Sequence, residues 1–157
     1  MKAGCTTPAL CALIAALSVP LVAGAAGRQY VPHAVAANAP PAPFSDAVLE
    51  GNTLYVAGHL GLDPATGNAA TDPDTEARLM MDAVRHTLES AGLTLDDLVS
   101  VTVFCTDLAL YDRFNALYRT YFHGHYPARA FIGVDKLVRG ARFELQGVAV
   151  KAARAGH

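Results

Sequence analysis

Two helical stripes separated by a β-rich run constrain the fold of this chain more than any other feature. Asp72-Pro73 has the form of a helix start, with Asp as the N-cap and Pro at the first helical position. Apolar side chains follow at steps of three and four residues as far as Ala91. Residues 98–106 then alternate as a β-branched strand, and a second stripe covers residues 110–122. Both helices are amphipathic, so we expect them to pack on one face of one sheet.

Further strand signals flank this unit. Residues 47–50 and 53–58 lie on either side of Gly51-Asn52, a two-residue hairpin signal. Apolar runs at 130–134 and 142–151 add two strands. The sequence therefore predicts a single α+β domain of order ββαβαββ, with one mixed sheet and two helices on one face. The late strands carry apolar or β-branched residues on both faces, and a large exposed apolar face usually marks an interface. We therefore expect a homo-oligomer.

The first 25 residues have the pattern of a secretory signal peptide. Lys2 supplies the positive charge, residues 8–23 are apolar and uncharged, and Ala23-Gly24-Ala25 forms a cleavage site. An uncleaved N-terminal anchor is the alternative. We expect an exported protein, periplasmic or secreted, with no membrane association after cleavage. The predicted organisation is a signal peptide at 1–25, an extended Ala- and Pro-rich linker at 26–43, the folded domain at 44–151 and a C-terminal tail at 152–157.

Charge and cysteine content limit the possible partners. A formal net charge of −2 is too mild to favour nucleic acid as a partner. Cys105 is the cysteine that remains after leader cleavage, and it alternates with the strand as a small core residue does, so we prefer this role to that of a nucleophile. His123 and His125 have a spacing compatible with metal ligation, but a polar loop explains them better because no third ligand is near. We expect no metal.

Arg129 and Glu144 are the residues best suited to chemistry. Pro127 favours an extended backbone, which places Arg129 at the start of a strand. Its guanidinium offers a planar fork of donors that suits a carboxylate. Glu144 lies in an apolar run, where a carboxylate needs a partner. Two interpretations stay open from these residues: an anion clamp with a proton-transfer group, or a structural Arg–Glu ion pair.

Several short motifs occur in a characteristic order between residues 43 and 150. Together they resemble the RidA family, also called the YjgF family, of enamine/imine deaminases. The motifs are Pro43-Phe44-Ser45-Asp46-Ala47-Val48, Gly51-Asn52-Thr53-Leu54-Tyr55-Val56-Ala57-Gly58-His59, Asp63-Pro64-Ala65-Thr66-Gly67, Ala91-Gly92-Leu93, Val101-Thr102-Val103-Phe104, Phe114-Asn115-Ala116-Leu117-Tyr118, Pro127-Ala128-Arg129 and Glu144.

The resemblance implies a chorismate-mutase-like fold and a homotrimer with clefts between subunits. It also implies hydrolysis of 2-imino or 2-enamino acids to 2-oxo acids and ammonia, without a metal or an organic cofactor. Arg129 falls on the arginine that grips the substrate carboxylate in this family. Glu144 falls on the acidic residue that places a water or moves a proton, a role in keeping with general acid–base chemistry.

Other positions of the family's cleft are predicted to bind substrate here. Asn115 matches a family asparagine, whereas Phe44 stands where active members commonly have tyrosine. Ala57 replaces a frequent serine, Phe131 a frequent cysteine, and His59 a frequent glutamine, with a hydrogen-bonded strand histidine as the alternative for His59. We expect imine hydrolysis in the exported compartment. The alternatives are a non-catalytic module of this fold that binds a small carboxylate or another protein, and a structural oligomer with a vestigial cleft.

Overall fold

Six strands and two α-helices make up the described part of the chain, which in this computed structural model is residues 27–35 and 38–151. The predicted signal peptide at 1–25 and tail at 152–157 lie outside these residues. The helices are α1 (Pro73–Ser90) and α2 (Tyr111–Tyr118). The strands are β1 (Gln29–Pro32), β2 (Ser45–Glu50), β3 (Thr53–Leu60), β4 (Leu98–Cys105), β5 (Ala128–Gly133) and β6 (Phe143–Val150).

All six strands join one mixed sheet in the order β1-β2-β3-β6-β4-β5. Strands β4 and β5 are parallel, and every other pair is antiparallel. Both helices pack on one face, so the predicted fold class is confirmed. None of the helices in residues 27–35 and 38–151 has the combined length and hydrophobicity that a membrane span requires.

Strand β1 was not predicted, because it lies inside the segment expected to be an extended linker at residues 26–43. It pairs antiparallel with β2, so that Tyr30 faces Val48, and it forms an edge of the sheet. A four-residue strand that ends in Pro32 leaves no periodic pattern to detect. Its pairing with β2 defines it, and pairing is not visible in local sequence.

Helix α1 begins as predicted and α2 ends earlier than predicted. The Asp72 side chain accepts a hydrogen bond from the Thr75 amide, and Pro73 is the first helical residue. Helix α2 gives way after Tyr118 to a 3-10 turn, in which the Thr120 hydroxyl donates to the Leu117 carbonyl at 2.7 Å. That turn takes up the last residues of the predicted stripe at 110–122.

The core fills the space between the sheet and the helices. Its largest fully buried side chains include Phe114, Phe143, Leu54, Met80, Met81 and Leu88. Cys105 is buried there too, and its thiol donates to the Asp107 carbonyl at 3.1 Å. Burial raises the pKa of this thiol, which disfavours the nucleophilic thiolate. The structure therefore agrees with the core role preferred for Cys105.

Glu76 is a fully buried carboxylate that the sequence analysis did not single out. It accepts hydrogen bonds from the backbone amides of Arg142, at 2.5 Å, and Phe143, at 3.0 Å, and it pairs with the Arg142 guanidinium. The same guanidinium donates to the carbonyls of Ala70 and Thr71. These bonds tie the first turn of α1 to the start of β6.

The second face of the sheet is open in the described part of the chain and is partly apolar. One cross-strand row on it runs from Tyr30 through Val48 and Tyr55 to Val148 and Ser100. The two tyrosines are 60% and 54% exposed. Exposed aromatic side chains in one row are characteristic of a surface that another protein covers.

Candidate active site

Arg129 lies on the helix-covered face of edge strand β5. It pairs in register with Val101, which is buried beneath the helices, so both side chains project to that face. Helix α2 crosses above it and presents Asn115. Arg129 Nη2 donates to Asn115 Oδ1 at 2.6 Å. Because a guanidinium has five N–H donors, this bond orients the group and leaves donors for a ligand.

Aromatic rings surround this guanidinium. Its Cζ lies 4.6 Å from the ring centroid of Tyr118, 5.6 Å from that of Phe131, 5.9 Å from that of Tyr111 and 6.0 Å from that of Phe114. The Phe131 ring packs edge-on against Tyr111 and Phe114. Phe131 is therefore part of the Arg129 surroundings, although it does not line the cavity beside that guanidinium.

A cavity of about 310 Å³ opens beside Arg129. This volume suits a small organic acid. No acidic side chain lines the cavity among the described residues, so the guanidinium is available to an anion. The lining residues are Tyr111, Asn115, Tyr118, Arg119, Tyr126, Pro127 and Arg129.

Glu144 lies on the open face of the sheet. Its neighbours Phe143 and Leu145 are buried in the core, and alternation along β6 turns Glu144 the other way. Its carboxylate rests against Gly58, where an added Cβ would overlap Glu144 Oε1. Arg129 and Glu144 therefore project from opposite faces of the same sheet. The ion pair between them, one of the two interpretations of the sequence, does not form within one described chain.

A β-bulge in β3 determines where His59 points. Val56 pairs with Gly147 and His59 with Leu145, so three steps along β3 match two along β6. The bulge turns His59 towards α1, where its Nε2 lies 2.8 Å from Thr87 Oγ1 and its Nδ1 lies 2.8 Å from the Ala57 carbonyl. His59 thus has the contacts of a hydrogen-bonded strand histidine, the alternative considered for it.

A second cavity, of about 470 Å³, lies at this bulge. Phe44 is 53% exposed there, with its ring 4.9 Å from that of His33. Apolar side chains dominate the walls. The lining residues include Phe44, Gly58, His59, Leu62, Leu79 and Val138.

The predicted site residues thus form two groups. Arg129, Asn115 and Phe131 lie together where β5 meets α2. The second group surrounds the bulge of β3. It consists of Phe44, Ala57, His59 and Glu144. The Glu144 carboxylate contacts the bulge at Gly58.

The position of Tyr118 beside Arg129 was not predicted from the sequence. The stripe at residues 110–122, to which Tyr118 belongs, predicts only a helix face that packs on the sheet. The hydroxyl of Tyr118 is buried and has no hydrogen-bond partner among the described residues. Burial raises the pKa of Tyr118 to about 12, so the phenol stays protonated. The signal in the sequence was the arginine in the strand that follows this aromatic helix, because arginine stacks on aromatic faces.

The possible metal ligands do not assemble in residues 27–35 and 38–151. No cluster of three or more His, Cys, Asp or Glu side chains has an arrangement that could hold a metal ion there. His123 lines a surface cavity beside Arg78, Arg85 and Tyr121.

Comparison with known proteins gives consistent matches. A family model described as Endoribonuclease L-PSP matches residues 34–151. A mouse protein named 2-iminobutanoate/2-iminopropanoate deaminase is 36% identical over 110 residues, covering 69% of this chain and 82% of the relative. The structure of RidA from the Antarctic bacterium Psychrobacter sp. gives a TM-score of 0.67 at 30% identity, covering 77% of this chain and 94% of that one. That of E. coli TdcF with bound serine gives 0.69 at 28% identity, covering 78% and 94%.

These matches agree with the order of motifs in the sequence and with the observed fold. The family model extends over nearly all of the described chain and includes strands β2 to β6 and both helices. The resemblance inferred from the motifs is therefore confirmed. This chain belongs to the Endoribonuclease L-PSP family, the family of the RidA and YjgF proteins.

Proposed function

We propose that this protein hydrolyses 2-imino acids, and the 2-enamino acids that tautomerise with them, to 2-oxo acids and ammonia. One observation carries the proposal: Arg129 is held by Asn115 beside a cavity that no acidic side chain lines in the described residues. Such a guanidinium suits the carboxylate that every 2-imino acid has. The relatives named deaminases, and the serine bound to TdcF, support a small ligand of this class.

The proposed hydrolysis needs two things from the protein: a group that holds the substrate carboxylate and a group that transfers protons. Arg129 binds the carboxylate and thereby holds the imine carbon in one place. Water adds to that carbon, and the C=N bond becomes a single bond as the nitrogen gains a proton. The C–N bond then breaks, ammonia leaves, and the hydroxyl loses its proton as the carbonyl forms. Glu144 is the group that takes the proton from water and returns one to nitrogen.

We propose that the protein is a homotrimer and that two copies form each site. Arg129 and Glu144 project from opposite faces of one sheet, so a single chain cannot present both to one small substrate. The exposed row with Tyr30 and Tyr55 supplies a partly apolar surface for assembly. Light scattering should report three chains per particle. A monomer at micromolar concentration would contradict both the trimer and the two-chain site.

We also propose that the protein works outside the cytoplasm, on the basis of the leader at residues 1–25. The full chain should be expressed and the cells fractionated. N-terminal sequencing of the exported fraction should begin at Ala26. A full-length chain confined to the cytoplasm would rule out export, and a full-length chain in the membrane fraction would indicate the uncleaved anchor.

An amino-acid oxidase that generates imino acids in place provides the activity test. With catalase present to remove peroxide, added protein should accelerate ammonia release from the leucine- and alanine-derived imines. In Arg129→Ala, the acceleration of ammonia release should fall more than tenfold, because a charge-assisted hydrogen bond contributes about 1.5–3 kcal/mol. Arg129→Lys should lose most of that activity as well, since it keeps the charge but not the fork.

Arg113→Ala is the matched control for Arg129. Arg113 is also an arginine paired with neighbouring side chains, namely Asp72 at 2.8 Å and Asp74 at 2.6 Å. Its side chain does not line the Arg129 cavity and points instead to the two aspartates, so turnover should stay at the wild-type level. Near-normal turnover by Arg129→Ala would refute the proposed role. For Glu144→Gln, we expect binding to survive and turnover to fall.

A non-catalytic module that binds a small carboxylate is the second candidate. It is favoured by Phe44, which lacks the hydroxyl that active family members commonly present at this position. Arg129 and Asn115 alone would suffice for such binding. Calorimetry with 2-oxobutanoate separates the two functions. Arg129-dependent binding without acceleration of imine hydrolysis would support the module and refute the enzyme.

A further inference from the structure

The ring of Tyr118 is the aromatic surface nearest to the Arg129 guanidinium. The centroid lies 4.6 Å from Arg129 Cζ, whereas the other three rings lie 5.6 to 6.0 Å away. A guanidinium within about 6 Å of a ring is attracted by the negative face of the π-system. Tyr118 therefore makes the closest aromatic contact of the residue to which we assign carboxylate binding.

Packing prevents this ring from moving aside. Tyr118 is only 4% exposed, and its centroid lies 5.6 Å from that of Phe114, 4.8 Å from that of Phe122 and 6.5 Å from that of Tyr126. Asn115 precedes it by three residues on α2, so both side chains lie on one face of the helix. The helix thus brings a rigid platform and a hydrogen-bond acceptor to the same guanidinium.

The Tyr118 hydroxyl makes no hydrogen bond within the described chain. It is buried, and the pKa of about 12 keeps it uncharged. A buried hydroxyl without a partner is normally avoided. The contact of Tyr118 with Arg129 that the structure shows is made by the ring, whose centroid lies 4.6 Å from Arg129 Cζ.

We infer that Tyr118 is a positioning residue that fixes the Arg129 guanidinium for carboxylate binding. The ring holds the plane of the guanidinium, and the bond to Asn115 sets its rotation within that plane. An arginine side chain without these contacts samples many rotamers, and a ligand must then restrict them. The inference rests on the proposed function for the identity of the ligand, but the arginine–ring contact can be measured without a ligand.

Three variants separate the ring from the hydroxyl and from general packing. Tyr118→Phe keeps the ring face and removes the hydroxyl, whereas Tyr118→Leu removes the ring. Phe122→Leu is the matched control, because Phe122 belongs to the same aromatic stack but makes no cation–π contact with Arg129. Tyr118→Met is a second ringless variant with a more adaptable side chain, for use if Tyr118→Leu does not fold.

The first measurement is the NMR signal of the Arg129 side chain, assigned by its loss in Arg129→Ala. Protons above an aromatic face are shifted upfield by the ring current. We expect this shift in the wild type, in Tyr118→Phe and in Phe122→Leu, and a clearly smaller shift in the ringless variants, in which three more distant rings remain at 5.6 to 6.0 Å. An unshifted wild-type signal, or a shift of the same size without the Tyr118 ring, would overturn the inference.

The second measurement is calorimetric affinity for 2-oxobutanoate, with KM and kcat where turnover is present. The ringless variants should bind about tenfold more weakly and raise KM by a similar factor, as expected for loss of a cation–π contact. Their kcat should stay within about threefold of the wild type, because chemistry is left intact. Tyr118→Phe should rescue affinity. Unchanged affinity without the ring, or equal weakness in Tyr118→Phe, would overturn the positioning role.

These measurements distinguish failure of the inference from failure of the proposed function. A protein without deaminase turnover that keeps the ring-current shift and ring-dependent binding refutes the hydrolysis and supports the positioning role. A deaminase whose KM does not depend on the Tyr118 ring supports the hydrolysis and refutes the positioning role.

Discussion

Replacing Glu76 with alanine should destabilise the fold strongly, because one carboxylate satisfies donors from two segments of the chain. Glu76 is 0% exposed and accepts from two backbone amides, those of Arg142 and Phe143, as well as from the Arg142 guanidinium. Alanine removes the acceptor for all three. The arginine side chain, which is 27% exposed, would then lose its counter-charge inside the protein.

The expected loss of unfolding free energy comes from the groups that Glu76 leaves without a partner, namely the Arg142 guanidinium and two backbone amides. Removing one member of a buried ion pair costs about 3–5 kcal/mol, because the remaining charge is uncompensated. Each unpaired buried amide costs about 1–3 kcal/mol, although water that enters the space left by the side chain reduces this. We expect a loss near 4 kcal/mol, against a total stability of about 5–15 kcal/mol for a domain. Glu76→Gln should lose less, since an amide oxygen still accepts from the backbone.

Urea unfolding followed by far-UV circular dichroism measures this loss. All variants should be compared at one protein concentration, because oligomer formation makes apparent stability depend on concentration. The unfolding midpoint should fall while the slope stays constant. Arg113→Ala is the control, because its ion pairs with Asp72 and Asp74 are on the surface, and it should show no resolvable change. A loss below about 1 kcal/mol for Glu76→Ala would refute the reasoning.

Three further predictions concern Cys105, Gly58 and Phe44. Because burial raises its pKa, Cys105 should react with a thiol reagent at pH 8 more slowly than a free thiol and rapidly in urea; fast labelling of the native protein would contradict its core position. Gly58→Ala should displace the Glu144 carboxylate, so turnover should fall although the protein stays folded; unchanged turnover would show that Glu144 does not act in the reaction. Phe44→Tyr should raise activity on the glutamine-derived imine relative to the leucine-derived one, by a graded factor since an apolar wall discriminates by about 1–3 kcal/mol per methylene; an unchanged ratio would limit Phe44 to packing.

Elements with local chemical signals could be predicted from the sequence. The side-chain cap at Asp72, followed by proline, fixed the start of α1. The Gly51-Asn52 turn joins β2 and β3 as expected, with Gly51 at a φ of +59° that glycine adopts readily. Strand β1 has no such signal, because it becomes a strand only through its partner β2. The Glu76–Arg142 pair was invisible for a similar reason, since 66 residues separate its members.

The residues of the candidate site could be chosen from the sequence, but their arrangement could not. Alternation along β6 already predicts that Glu144 projects from the sheet face opposite to that of Phe143 and Leu145. The sheet face from which Arg129 projects depends on the register of β5 with β4. The direction of His59 depends on an extra residue in β3, which becomes apparent only against β6. Register and bulge together assign the cation and the carboxylate to opposite faces of one sheet. If both act on one small imine, the site requires surfaces from two chains. Turnover per chain should then fall on dilution to the monomer, and turnover that persists in the monomer would contradict the two-chain site.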